Sequence, residues 1–255
     1  MEYIDTLKHV LRGEEYCVNQ YISIRNPTVR EVIDFGEDIF DIVLKLFTRK
    51  PYDIAVELWD RGIDYSTITD WDLFFDTVPN IAPEFSGIFF EGFEFNRLAP
   101  CVNELNGLNV LANVENPDIY IDEVIFRKMV TYLRFVYFIS EKIEYDMGNE
   151  VGKQFLIKRM RRKQEKYAKD VARGKIRPQS RIHSMIMFCV NNPGCPYNYE
   201  TIQDIPLVLL YETFHFLKHD NERNNLTLGI YAGRIDPSGM KDKSSLEIIP
   251  DLHKT

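Results

Sequence analysis

Ile22–Phe75 reads ISIRNPTVREVIDFGEDIFDIVLKLFTRKPYDIAVELWDRGIDYSTITDWDLFF, the densest run of helix starts, helix stops and apolar faces in the chain. Thr28 follows Asn26-Pro27 and stands three residues before Glu31. In this capping-box pattern the hydroxyl accepts from a free first-turn amide and the carboxylate reaches back to the cap. Asp34, Glu37 and Asp38 then suit the positive end of the helix dipole, and Lys45, Arg49 and Lys50 the negative end. Val32, Phe35, Ile39, Ile42, Val43 and Leu46 recur at spacings of three and four, so one stripe faces a core. Pro51 ends this helix and opens the next, which runs from about Tyr52 to Asp60. That second helix is expected to bury Ile54, Leu58 and Trp59, with Gly62 as its left-handed cap. Thr69 with Asp72 starts a third short helix carrying Trp71, Leu73 and Phe74.

Outward on the N-terminal side, residues 1–25 read as a short amphipathic helix and an extended piece, with Tyr21–Ile24 alternating like an edge strand. On the other side Pro79 and Pro83 break the helical module. Phe85 to Pro117 changes character. Ile88–Phe95 is aromatic and partly alternating around Gly92, and Leu105–Val114 and Asp118–Ile121 are strand-like between Asn, Gly and Pro. These predict a small antiparallel sheet. The phenylalanine run is expected in the core, because an exposed run of this kind nucleates aggregation; the alternative is a patch at a partner interface. Asp122 to about Lys142 returns to helix, apolar on most sides and therefore central. Gly148 and Gly152 mark a loop or hinge.

Lys153–Arg181 is the electrostatic anomaly. It holds twelve basic residues and two acidic ones, about +10, in a chain of net charge -8, so the remainder carries about -18. It is expected to be helical to about Val171, with a thin apolar stripe of Phe155, Leu156, Met160 and Tyr167. Ser180–Val190 and Glu200–His219 follow as helices, the second kinked at Pro206, and a last helix near Asn224–Ala232 leads to Gly233. The segment from Lys241 to Thr255 docks as a short helix or frays.

The fold class expected is α+β, predominantly helical with a small central antiparallel sheet. Three stretches stand out: 1–80, a helical module; 81–150, the sheet plus the central helix; and 151–255, the basic helix with a C-terminal helical module. They can also pack as one domain. With 45% hydrophobic and 13% aromatic residues, the 255-residue chain can bury a core and is not a disordered composition. No apolar run nears the ~20 residues of a membrane span, and no export signal opens the chain. Cys17, Cys101, Cys189 and Cys195 are therefore expected to be reduced thiols in a cytoplasm.

The basic segment admits three readings: a solvated helix face, a dock for an acidic protein or a second copy, or a nucleic-acid contact. The acidic net charge and the lack of a stacking platform beyond Tyr167 weigh against the last. Glu212, His215 and His219 share a helix face, but Phe216 stands where the HExxH pattern needs its glutamate. Cys189 and Cys195 are spaced wider than a zinc knuckle and lack a second pair. No phosphate loop, nucleophile elbow or Ser-His-Asp spacing is present. The chain is thus read as a non-enzyme, with no catalytic, cofactor or metal-binding residue assigned.

NPTVREVIDFGEDIF at 26–40 and YDIAVELWDRGIDYSTITDWDLF at 52–74 resemble the N-terminal part of a family of tail-region proteins of bacteriophages infecting Gram-positive bacteria, grouped with tail assembly chaperones. The Leu226–Asp236 stretch and the Ser184–Leu217 region, with its Tyr197–Glu200 turn, are similar too, whereas 85–150 departs from the family. The resemblance implies a non-catalytic role: binding the long tape-measure protein and keeping its apolar helices soluble in the host cytoplasm while the tail assembles. Other tail proteins and self-association are further partner classes. The candidate partner-binding residues are the Ile39, Val43 and Leu46 face, the Trp59–Trp71 neighbourhood, and Arg159, Arg162, Lys163 and Lys166. Core packing is the competing role of each apolar one. The alternative function is a structural virion protein of the tail or baseplate.

Overall fold

Thr28 and Glu31 form the expected box. The Glu31 amide donates to Thr28 Oγ1 at 3.2 Å and the Thr28 amide to Glu31 Oε2 at 2.7 Å. The computed structural model describes residues 7–102, 107–140, 149–175, 179–240 and 244–248. Helix α1 (Val29–Phe35) runs from this cap to Gly36, where the backbone turns at φ 99° and α2 (Glu37–Thr48) begins. The single helix expected from the apolar period is therefore two. A positive φ at Gly36 is open to glycine at little cost, and it re-aims the chain without an insertion. A 3-10 turn at Pro51–Ile54 precedes α3 (Ala55–Asp60), so the second expected helix is α-helical only in its second half. Gly62 closes it at φ 75°, as anticipated, and Thr69 with Asp72 boxes the start of α4 (Asp70–Thr77).

The aromatic run corrects the strand reading. After α5 (Pro83–Ser86) the chain passes Ile88–Phe95 in turns, not in a strand. Phe89, Phe90 and Phe95 are at most 1% exposed, so the run does lie in the core. Turns beginning at the Ser86 carbonyl let neighbouring rings face one core instead of alternating sides. Two antiparallel sheets are present: β1 (Tyr16–Cys17) with β2 (Ser23–Ile24), and β3 (Leu98–Val102), β4 (Asn109–Asn113) and β5 (Tyr120–Ile121) in that order. Leu111 and Ile121 face each other in register and are fully buried.

The central helix is α6 (Glu123–Val136), capped by Asp122. It stops short of the expected Lys142 because Phe138 takes a left-handed φ of 56° and the Ile139 amide turns back to the Arg134 carbonyl. Stacking of Phe138 on His215, centroids 4.1 Å apart, holds this conformation, which is unusual for a bulky residue. The remaining helices are α7 (Glu150–Ala172), α8 (Arg181–Val190) and α9 (Leu207–Tyr231). Pro206 does not kink a helix; it is the cap residue of α9, and the two helices expected from 200 to 232 are one from Leu207 onward. Proline supplies no amide, and the first turn needs none at its start. Met1–Thr6 of the expected first helix, the start of Leu105–Val114, Lys142, Gly148, Arg177, Pro178 and, of the expected Lys241–Thr255 segment, residues 241–243 and 249–255 lie outside the described residues.

Helix accounts for 59% and strand for 8%, which makes the class α+β and predominantly helical. One core cluster draws on residues from Val10 to Leu217. Its ends are tied together: the Val29 amide donates to the Ile205 carbonyl at 3.0 Å and the Leu207 amide to the Pro27 carbonyl at 2.8 Å. Asn26, itself buried, donates to the His9 and Glu14 carbonyls and accepts from the Tyr132 hydroxyl, which fixes the N-terminal segment on α6.

Glu31 carries a pH dependence. Burial disfavours its charge, but the Thr28 amide and Arg25 outweigh that and hold its pKa below the ordinary 4.5. A carboxylate depressed in the folded state contributes stability above its unfolded pKa and loses it as pH falls through the folded one. The urea midpoint is expected to drop as pH falls below 4.5. Glu31→Gln should be less stable at neutral pH and show a shallower drop in that window; an unchanged slope would remove Glu31 from the account.

Candidate functional site

Helix α7 starts at Asn149, whose side-chain oxygen accepts the Gly152 amide at 2.7 Å. Its 23 residues span about 35 Å. Leu156 and Ile157 are buried, and with Met160 they close a second, smaller cluster with Ala55, Val56, Leu58, Tyr65 and Leu73. Lys153 bonds Asp64 and reaches Ser66 Oγ at 2.6 Å, and Arg161 pairs with Asp60. The bond to Asp64 raises the Lys153 pKa, and the same bond with the Ser66 amide lowers that of Asp64. Both groups are therefore charged across the ordinary range, and the root of the helix is held by charge as well as by packing.

Beyond that root, Arg161–Lys169 expose every side chain. At 100° per residue, Val151, Phe155, Lys158, Arg162, Lys166 and Lys169 fall on the face opposite Lys153, Leu156, Ile157 and Met160. Val151 is 77% and Phe155 65% exposed, large values for apolar side chains on an ordered helix. Among the described residues, Lys158, Arg159, Arg162, Lys163, Lys166, Lys169, Arg173 and Lys175 have no ion-pair partner. The helix ends when the Lys175 amide bonds the Asp170 carbonyl at 2.9 Å, across Gly174. The chain then returns to the acidic start of α2, where Arg181 bonds Asp41 at 2.7 Å and the Ile182 amide donates to Glu37 at 2.9 Å.

An open groove of about 380 Å³ lies where α4, β4 and α6 meet, lined by Trp71, Leu108, Val110 and Val124 and rimmed by Asp72, Asp122 and Glu123. Arg127 enters the same rim, pairing with Glu123 at 3.1 Å and with Asp70 at 2.8 Å. The volume is at the low end for a small-molecule pocket and the groove is open, so it suits a side chain or two of a docking helix.

The expected surface residues distribute unevenly. Arg159, Arg162, Lys163 and Lys166 come together on exposed α7. The α2 stripe divides: Ile39 is 40% exposed, Val43 is 2% exposed and Leu46 packs on the main core. The Trp59–Trp71 neighbourhood is not one patch, since Trp59 packs on the small cluster while Trp71 belongs to the main core and shows only an edge to the groove. Helix period places Val43 on the inner side of α2, so it is not available to a partner. The groove has no signature in the sequence, because Leu108, Val124 and Glu123 join Trp71 only through β4 and the turn into α6.

His215 stacks on Phe138, and His219 Nε2 lies 3.4 Å from the Ser244 carbonyl. Cys189 is buried; burial and then the charge of Cys195 push its thiol up to about 12, away from a nucleophile's range. Among the described residues no group of three His, Cys, Asp or Glu is placed to hold a metal ion, and no helix is long and apolar enough to cross a membrane. Comparison with protein-family models, with curated proteins and with solved structures finds no match.

Proposed function

We propose that the chain is a non-catalytic assembly factor that binds a helix of a partner protein, and specifically a phage tail assembly chaperone whose client is the tape-measure protein. The observation that supports this is the outward face of α7: Val151 and Phe155 exposed at its base, unpaired cations along the rest, on a helix anchored at its root. An anchored helix gives up little further order on binding, and an aromatic beside cations suits an amphipathic client with an acidic edge. Such a protein shields apolar helices in the host cytoplasm during assembly and is released when tube subunits take its place.

Co-expression with the tape-measure protein of the same genome, followed by size exclusion, tests the reading. The expected result is co-elution and a soluble tape measure, lost in the Arg159→Glu/Arg162→Glu/Lys163→Glu/Lys166→Glu variant. A tape measure that precipitates while this chain elutes alone would overturn it. Stoichiometric recovery of the chain in purified particles would instead favour a structural part of the tail or baseplate.

A further inference from the structure

The two open surfaces of this chain are complementary to each other. The groove has a buried floor of Trp71 and Val110, exposed apolar walls of Leu108 and Val124, and a rim of one guanidinium and three carboxylates, Asp72, Asp122 and Glu123. The other lone pairs of these carboxylates face solvent beside their bonds to Thr69, the Ile125 amide and Arg127. The outward face of α7 has two exposed apolar side chains, Val151 and Phe155, followed at the next turns by Lys158, Arg162 and Lys166. The same division holds for the whole chain, about +10 in Lys153–Arg181 against about -18 elsewhere. One molecule cannot satisfy both surfaces. Leu156, Ile157, Lys153 and Arg161 hold the opposite side of α7 on α3 and its following loop, so its outward face points away from its own body.

We infer that the chain self-associates, with the outward face of α7 of one copy seated in the Trp71–Leu108–Val124 groove of a second. Phe155 enters between Leu108 and Val124, and Lys158 and Arg162 meet Asp72, Asp122 and Glu123. Each copy carries one face and one groove, so two copies can satisfy each other reciprocally and close a pair. The exposed charges speed encounter, and the apolar walls supply the adhesion that charge alone lacks at physiological salt. A nucleic acid fits the cations but not Phe155 and Val151, and it meets net repulsion from the rest of the chain. The inference does not depend on the client named above. If it holds, self-association covers the client-binding face until a client displaces it.

Sedimentation equilibrium of the full chain at low and at high salt tests this with two charge-reversed variants. One carries Lys158→Glu/Arg162→Glu on α7 and the other Glu123→Lys at the groove, which leaves the apolar walls intact. Lys158 and Arg162 have no ion-pair partner among the described residues, so the α7 variant should match the wild type in circular dichroism and melting temperature. Glu123→Lys loses the pair with Arg127 in the first turn of α6 and should keep the circular dichroism with a small drop in melting temperature. The wild type is expected to associate at low salt and weaken at high salt, and each variant to raise the dissociation constant about tenfold or more. Mixed in equal amounts, the two variants are expected to recover association, since the reversed face then meets the reversed groove. A wild type that stays monomeric at low salt, association that neither variant weakens, or a mixture that stays monomeric would each overturn the inference. So would a double-stranded DNA oligomer binding wild type and groove variant equally while the protein remains monomeric. Client capture without self-association would sink this inference and leave the chaperone reading standing; self-association without capture would do the reverse.

Discussion

Replacing Arg134 with methionine is expected to lower the free energy of unfolding by about 3–5 kcal/mol, the usual cost of breaking a buried ion pair from one side. Arg134 is 6% exposed and joins three helices. From α6 its Nε and Nη2 donate to the Thr48 carbonyl at 3.1 and 2.8 Å, at the last residue of α2, where helix geometry leaves a carbonyl without a partner. Its Nη2 also lies 3.0 Å from Asp70, the first residue of α4, whose side chain is 11% exposed. Methionine keeps much of the volume but leaves the Thr48 carbonyl unbonded and Asp70 with Arg127 alone. For a chain of this size the melting temperature should fall by roughly 6–20 °C. Adding Asp70→Asn should cost clearly less than the two single changes together, because the groups share one network. A loss under about 1 kcal/mol in urea unfolding would show that the network is worth no more than a surface pair.

Phe89→Ala is expected to cost about 3–5 kcal/mol, the range for emptying a phenylalanine site in a packed core. Its ring is fully buried, with centroids 5.0 Å from Phe40, 5.9 Å from Tyr137 and 6.4 Å from Phe47 and Phe90. It therefore touches α2 and the end of α6 at once, and no single neighbour can move in to fill the space. Its carbonyl also accepts the Arg25 amide at 2.8 Å, so the surrounding backbone is held in place and the cavity persists. Phe85, in the same aromatic stretch but 39% exposed on α5, is the control; Phe85→Ala should stay within about 0.5–1 kcal/mol. Equal losses at both positions, measured by urea unfolding, would mean that the run is not divided into core and surface.

The contrast between these two phenylalanines shows where local pattern stops. Alternation around Gly92 suggested a strand, and the residues are buried as that reading required, but through turns. Burial was legible because a dense aromatic run has few places to go. Backbone shape was not, since turn and strand can both hide such a run and only the neighbours select between them. The same limit applies to Gly36 and Pro206. Either residue is compatible with a continued pattern or a break, and the decision came from partners far along the chain: the bridge between Thr28 and Pro206, and the seating of Ile182 against Glu37.

What the chain determined by itself is local and short-ranged: the boxes at Thr28 and Thr69, the cap at Gly62, the helical span of the basic segment and the predominance of helix. These follow from hydrogen bonds and side-chain spacings within a few residues of each other, which hold in almost any surroundings. Tertiary structure alone decided which cations stand free, that Val43 turns inward while Ile39 does not, and that Trp71 shares a groove with Leu108 and Val124. Exposure and concavity belong to several elements at once. They arise only when α4, β4 and α6, and likewise α3 and α7, have been brought together by burying apolar surface from distant parts of the chain.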